Sequence, residues 1–229
     1  MPSSAADTRE PEFDPDRIVA TLARHDVTYL LVGGMGARHY GATRFTEDLD
    51  CLAQFNNQNL GRLADAMREL NARLRVEGMT DAESLTLTRH LPSVEFFRRG
   101  ELSTWMTDAG KFDVLHDMPA RDGERLVYEQ LVTRADVHEY PGGLTVSVAA
   151  LADIVASKEW ADRPKDHLAL PELYAIQERG DDGPAADGGV PVDPAPGPGR
   201  GGPTGRTLAN GLDRPIGSSK LPPERDIGR

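Results

Sequence analysis

Cysteine is all but missing from this chain: Cys51 is the only one among 229 residues. No intrachain disulfide and no cysteine-based zinc site can be built from it. Long apolar runs are missing too, and none approaches the ~20 residues that a bilayer-spanning helix requires, so no transmembrane segment is expected. The opening stretch, polar and acidic from Met1 to Glu12, lacks the basic and apolar regions of a secretory signal, which makes cytoplasmic residence the expectation. Basic excess is the third absence. Against 37 Asp and Glu stand 26 Lys and Arg, a formal net charge of -11, and this opposes non-specific nucleic-acid binding, because neutralising phosphates takes clustered cations. Walker A, G-x-S-x-G and H-E-x-x-H patterns do not occur, so P-loop, serine-hydrolase and histidine-zinc chemistry find no support.

What is present begins with a composition break. From Asp181 to Arg229 the chain is rich in Gly and Pro, has no aromatic residue and shows no apolar periodicity; it reads as a disordered tail. Residues 1–13 read as a flexible start, which leaves 14–179 as one folded domain, long enough to bury a proper core. Within it, Asp14-Pro15 is an N-cap followed by proline at the first helical position, predicting a helix to about Arg24. Val27 to Val32 reads as a buried strand and Met35 to about Tyr40 as a short helix. Asp48 to Ala53 is a second strand, and the periodicity of Leu63, Met67 and Leu70 predicts a helix over Leu60 to Leu74. Further strands are expected at Ser93 to Arg98, Glu101 to Thr107 and Phe112 to His116. A hairpin is expected around Pro141-Gly142-Gly143, and helices over Ala150 to about Trp160 and Pro164 to about Arg179.

The chemistry concentrates in Leu30 to Leu52, LLVGGMGARHYGATRFTEDLDCL. Strand residues alternate faces, so Asp48 and Asp50 point one way while Leu49 and Cys51 point into the core. Two converging carboxylates repel unless a hard divalent cation, most commonly Mg²⁺, lies between them. Gly33-Gly34 lets backbone approach something bulky, and the helix that follows offers free N–H groups, which suits a nucleoside triphosphate. Asp113 alternates with Phe112 and Val114 on a later strand. If that strand neighbours Asp48 to Ala53, three carboxylates can hold two cations ~3.5–4 Å apart. Arg44 and Thr46 are placed either to bind phosphate or to cap a turn. By residue type alone, Lys158, Arg163 and Lys165 fit a solvated helix face as well as a phosphate site, and Asp166 fits a helix N-terminus.

On these residues the chain resembles the nucleotidyltransferase superfamily of DNA polymerase β-like fold. The form GG…R-x-T-x-D-x-D (Gly33, Gly34, Arg44, Thr46, Asp48, Asp50), followed by the late segment SKEWADRPKDHLALPEL, is most similar to AbiEii and MenT-type toxins. The resemblance spans about Asp14 to Arg179. It implies an α+β fold, a mixed sheet flanked by helices with a short C-terminal helical segment. It also implies an Mg²⁺-dependent enzyme, with Asp48, Asp50 and Asp113 on the metals, that transfers a nucleoside monophosphate from an NTP to a hydroxyl and releases pyrophosphate. In such toxins the acceptor is the tRNA 3′ end and a cognate antitoxin restrains the activity; Lys158 would contact the triphosphate and Asp166 would support the site. Two rival readings remain at this level: a small cationic acceptor such as an aminoglycoside, which the acidic charge favours, and a non-catalytic antitoxin or binding module that keeps the fold.

Overall fold

The side chain of Asp14 accepts a hydrogen bond from the Arg17 amide and Pro15 follows it, so α1 (Pro15–Arg24) starts where its cap dictates. Its Ile18, Val19 and Leu22 are buried. This computed structural model describes residues 11–76, 78–80, 83, 92–100 and 102–181; the expectations for residues 1–10 and for the tail beyond 181 lie outside them. After α1 come β1 (Tyr29–Val32), α2 (Gly33–His39), β2 (Asp48–Ala53), α3 (Asn57–Glu69), β3 (Arg73–Leu74), α4 (Val94–Phe97), β4 (Leu102–Thr107) and β5 (Gly110–Leu115). The chain continues with β6 (Asp117–Pro119), β7 (Arg125–Val127), α5 (Tyr128–Leu131), β8 (Asp136–Tyr140), β9 (Leu144–Val148), α6 (Leu151–Ala161) and α7 (Pro164–Asp181).

Seven strands form one sheet in the order β3-β4-β5-β2-β1-β9-β8. β2 sits near its centre, antiparallel to β1 and parallel to β5, while β9 runs parallel to β1, so the sheet is mixed, as expected. The central strands are covered by apolar packing. Leu30, Leu31, Leu49, Cys51, Leu52, Trp105 and Phe112 are fully buried, each side chain contributing roughly 1.5–3 kcal/mol if as apolar and large as Leu or Phe. Among the described residues no helix is long and apolar enough to cross a membrane.

Two expectations are corrected, and one element was not foreseen. Ser93 to Arg98 is no strand: the Ser93 hydroxyl accepts from the Phe96 amide and caps the short helix α4, whose Phe96 and Phe97 rings pack against Trp105. The helix predicted over Leu60 to Leu74 begins and ends earlier. Asn56 caps α3 through the Asn59 amide, and the left-handed Asn71 (φ 50°) turns the chain so that Arg73-Leu74 pair with Met106 and Trp105. The β6–β7 ribbon, paired through Asp117↔Val127 and Met118↔Leu126, carries no period that marked it beforehand. The hairpin around Pro141-Gly142-Gly143 is present, with φ of 80° and 75° at the two glycines.

Candidate active site

β2 and β5 lie side by side in a register that pairs Asp50 with Asp113 and Asp48 with Lys111. In parallel neighbours, residues at matched heights point the same way, so Asp48, Asp50 and Asp113 emerge on one face while Leu49, Cys51, Phe112 and Val114 are buried on the other. One carboxylate oxygen from each of the three lies within 4.8 Å of the others. Burial first, and then the Asp48 charge, pushes the Asp50 carboxyl up to about 6; burial followed by Asp50 and Asp48 pushes Asp113 up to about 7. The Asp113 Oδ1 atom is buried and has no hydrogen-bond partner among the described residues. Crowded, desolvated, oxygen-only donors with an orphaned lone pair are what a hard divalent cation requires, so these three residues fit such an ion.

The glycine pair is shaped by the carboxylates. Gly33 has φ +59°, and a Cβ there would fall 1.9 Å from Asp50 Oδ2. A Cβ on Gly34 would fall 2.7 Å from Thr46 Oγ1. That hydroxyl donates to Asp48 Oδ1 at 2.6 Å, so Thr46 orients a member of the carboxylate group. Gly33→Ala is therefore expected to cost about 1–3 kcal/mol through backbone strain alone and to push Asp50 aside. Thermal melts in parallel with Mg²⁺ titration measure both effects; an unchanged melting point together with unchanged ion affinity would contradict the close approach.

Above this floor lies a cavity of about 260 Å³. Gly33, Gly34, Arg44, Thr46 and the three carboxylates line it, as do Lys158, Arg163 and Lys165. α6 contributes Ser157 and Lys158. It is held at its start by Arg134, whose guanidinium forks onto Asp153 at 2.7 and 2.8 Å, and it stops at the left-handed Asp162 (φ 49°). Pro164 then opens α7. Asp166, in the first turn of α7, is fully buried and does not line the cavity. Its Oδ1 accepts from Lys158 Nζ at 3.2 Å and its Oδ2 from Arg163 Nε at 2.6 Å. Burial pushes its pKa up, but the Arg163 and Lys158 partners outweigh that and hold it below the usual carboxylate range. Arg44 Nη1 donates to the Leu168 carbonyl of α7 at 3.2 Å, which hangs the loop before β2 on α7.

Sequence reasoning gave no separate weight to Lys165, yet it is the first of the three cations whose charge lowers the Asp50 carboxyl, ahead of Lys158 and Arg163, and it also acts on Asp113. The signal available was its place next to Asp166, once Asp166 is known to be buried. Arg75, just after β3, also acts on Asp113, its amide donating to the Thr104 carbonyl at 2.8 Å. Cys51 is buried on the face away from the acids, its thiol pushed well up by burial. No histidine lines the cavity among the described residues.

The family of the nucleotidyl transferase AbiEii toxin, Type IV TA system, matches residues 17–168. No curated protein matches the sequence. Among solved structures, the lincomycin-bound lincosamide antibiotic adenylyltransferase LnuA is similar at 14% identity and a TM-score of 0.46, over 69% of this chain and 93% of that one. The antibiotic-resistance factor ANT(2″)-Ia is similar at 14% identity in two structures. Its solution structure gives a TM-score of 0.43 over 72% of this chain and 82% of that one. Its complex with adenylyl-2″-tobramycin gives 0.42 over 71% and 94%.

Proposed function

The chain belongs to the AbiEii nucleotidyl transferase toxin family and is a nucleotidyltransferase, and from that premise we propose that it moves a nucleoside monophosphate from an NTP to a hydroxyl at the tRNA 3′ end, with Mg²⁺ held by Asp48, Asp50 and Asp113. One observation carries the reading: three carboxylates converge within 4.8 Å in a cavity that Lys158, Arg163 and Lys165 also line. When bound, the divalent cation supplies charge neutralisation at the phosphates and lowers the pKa of the attacking hydroxyl.

The remaining work falls to the chain's own groups. Lys158, Lys165 and Arg163 face the triphosphate and offset the charge that gathers on pyrophosphate as the bond to the α-phosphorus breaks. Gly33 and Gly34 keep the floor open where a side chain would collide with Asp50 and Thr46. Asp113, which feels the charges of Arg75 and Lys165, takes the acceptor side and helps remove the hydroxyl proton. Asp166 acts through Lys158 and Arg163, fixing both ammonium and guanidinium beside the site. A cognate antitoxin is the protein partner, and the cytoplasm, where NTP and tRNA meet, is the compartment.

The test is direct. Purified protein is incubated with each labelled NTP, Mg²⁺ and total tRNA, and in parallel with aminoglycosides. Label at the tRNA 3′ end that disappears on chelation is the expected result. Label on the aminoglycoside alone would move the acceptor to a small polycation, the class that the net charge of -11 favours.

A further inference from the structure

The mouth of the cavity carries an aromatic ring that packing leaves in water. Phe45 is 78% exposed, the highest value among the exposed large apolar side chains of the described residues, and it lines the cavity. A single exposed ring is ordinary on a protein surface. The manner in which this one is held is not. Thr43 donates from its amide and its hydroxyl to Glu172 Oε1, both at 2.7 Å. Arg44 is tied to the Leu168 carbonyl, and Thr46 to Asp48 Oδ1. The residues on either side of Phe45 are thus anchored to α7 and to the carboxylate floor, which holds the backbone that carries the ring.

We infer that Phe45 is the stacking platform for the base of the incoming nucleotide. The inference rests on the nucleotidyl-transfer reading and adds to it the residue that receives the base. The anchoring of the loop points to the incoming nucleotide and away from the acceptor. The anchors of the loop, Glu172 and Leu168, belong to α7, the helix that also carries Lys165 and Asp166. A base is joined through its ribose to the phosphates those cations face, so it leaves the cavity along the same rim. Leu102 and Leu115, paired at the far end of the Asp113 strand, also line the cavity and are left to the acceptor. Stacking on a phenyl face is open to every base, because each has a π-face and no edge is read.

Calorimetric titration of the full chain with ATP, GTP, CTP and UTP, and separately with inorganic tripolyphosphate, tests the idea. Phe45→Ala should weaken all four NTPs by roughly tenfold and leave tripolyphosphate affinity unchanged. Phe45→Trp should restore NTP binding, with quenching of the new indole on addition of nucleotide. Lys165→Ala, by contrast, should weaken NTP and tripolyphosphate together, which separates the phosphate subsite from the base subsite. Equal losses for NTP and tripolyphosphate in Phe45→Ala, or unchanged NTP affinity with a raised KM for the acceptor, would overturn the platform while leaving nucleotidyl transfer standing. A wild-type chain that binds neither NTP nor tripolyphosphate would overturn both.

Discussion

Asp50→Asn is expected to reduce nucleotidyl transfer by on the order of 10³-fold or more, and to make the ion-free protein more stable at pH 8. The two outcomes share one cause. Asp50 sits against Gly33 with Asp48 on its own strand and Asp113 at the same height on the next, so its charge repels two neighbours inside a desolvated pocket. The isosteric amide keeps the shape, removes the charge, and with it the ligand. The pH dependence follows from the direction of the shifts. Asp50 and Asp113 are raised from 3.8 to about 6 and about 7, so the native state holds more protons than the unfolded chain between pH ~4 and ~7. Stability from these groups is fully present at the acid end and falls as pH rises through the folded values. In Asp50→Asn that decline should shrink, by on the order of 2–3 kcal/mol. Mg²⁺ at pH 8 should raise the melting temperature of the wild type by mass action and do much less for the variant. Melts across pH with and without Mg²⁺, alongside a transfer assay, measure all of this. Full activity in Asp50→Asn, or an ion-free melting point several degrees below wild type at pH 8, would remove the carboxylate floor from the mechanism.

Half of that floor was legible in the sequence because a strand advertises its two faces. D-L-D-C alternates acid and apolar residues, and K-F-D-V does the same, so each strand alone says which side its carboxylates take. That the two strands are neighbours is not a local property. Their pairing is parallel, and parallel pairing joins segments far apart in the chain, with a helix and other strands between them. The resemblance to a known family supplied what periodicity could not. Phe96-Phe97 misled for the opposite reason: two aromatics read as strand until a serine cap decides the matter, and no pattern of apolar residues encodes that choice. Lys165 was opaque because Arg163, Lys165 and Asp166 are all charged and all common on solvated helices. Only the packing of α7 on α6 takes Asp166 out of water, and only then does the polarity of the segment acquire direction.

That direction gives the two lysines different signatures. Lys165→Ala is expected to lower kcat/KM for NTP by about 10²-fold, roughly 3 kcal/mol of transition-state stabilisation, with little change in melting temperature. Lys165 lines the cavity, and its charge reaches both Asp50 and Asp113, so its loss should also raise both carboxyl pKa values in the ion-free protein. Lys158→Ala should lower kcat/KM by a similar factor and destabilise the fold as well. Its side chain, 15% exposed, supplies one of two cations that hold the fully buried Asp166, and removing one partner of a buried ion pair costs up to about 3–5 kcal/mol. Arg163 remains and retains part of that. Because the partners hold Asp166 below its ordinary pKa, their contribution is present above the unfolded carboxyl range and is lost as pH falls through the folded value. The excess instability of Lys158→Ala should therefore fade in acid. Steady-state kinetics at pH 8, and melts at pH 8 and at about pH 2, below the lowered Asp166 value, distinguish the roles on both variants. Lys165→Ala at wild-type kcat/KM would return that residue to the solvated face, and Lys158→Ala with an unchanged melting point at pH 8 would show that Arg163 alone satisfies Asp166.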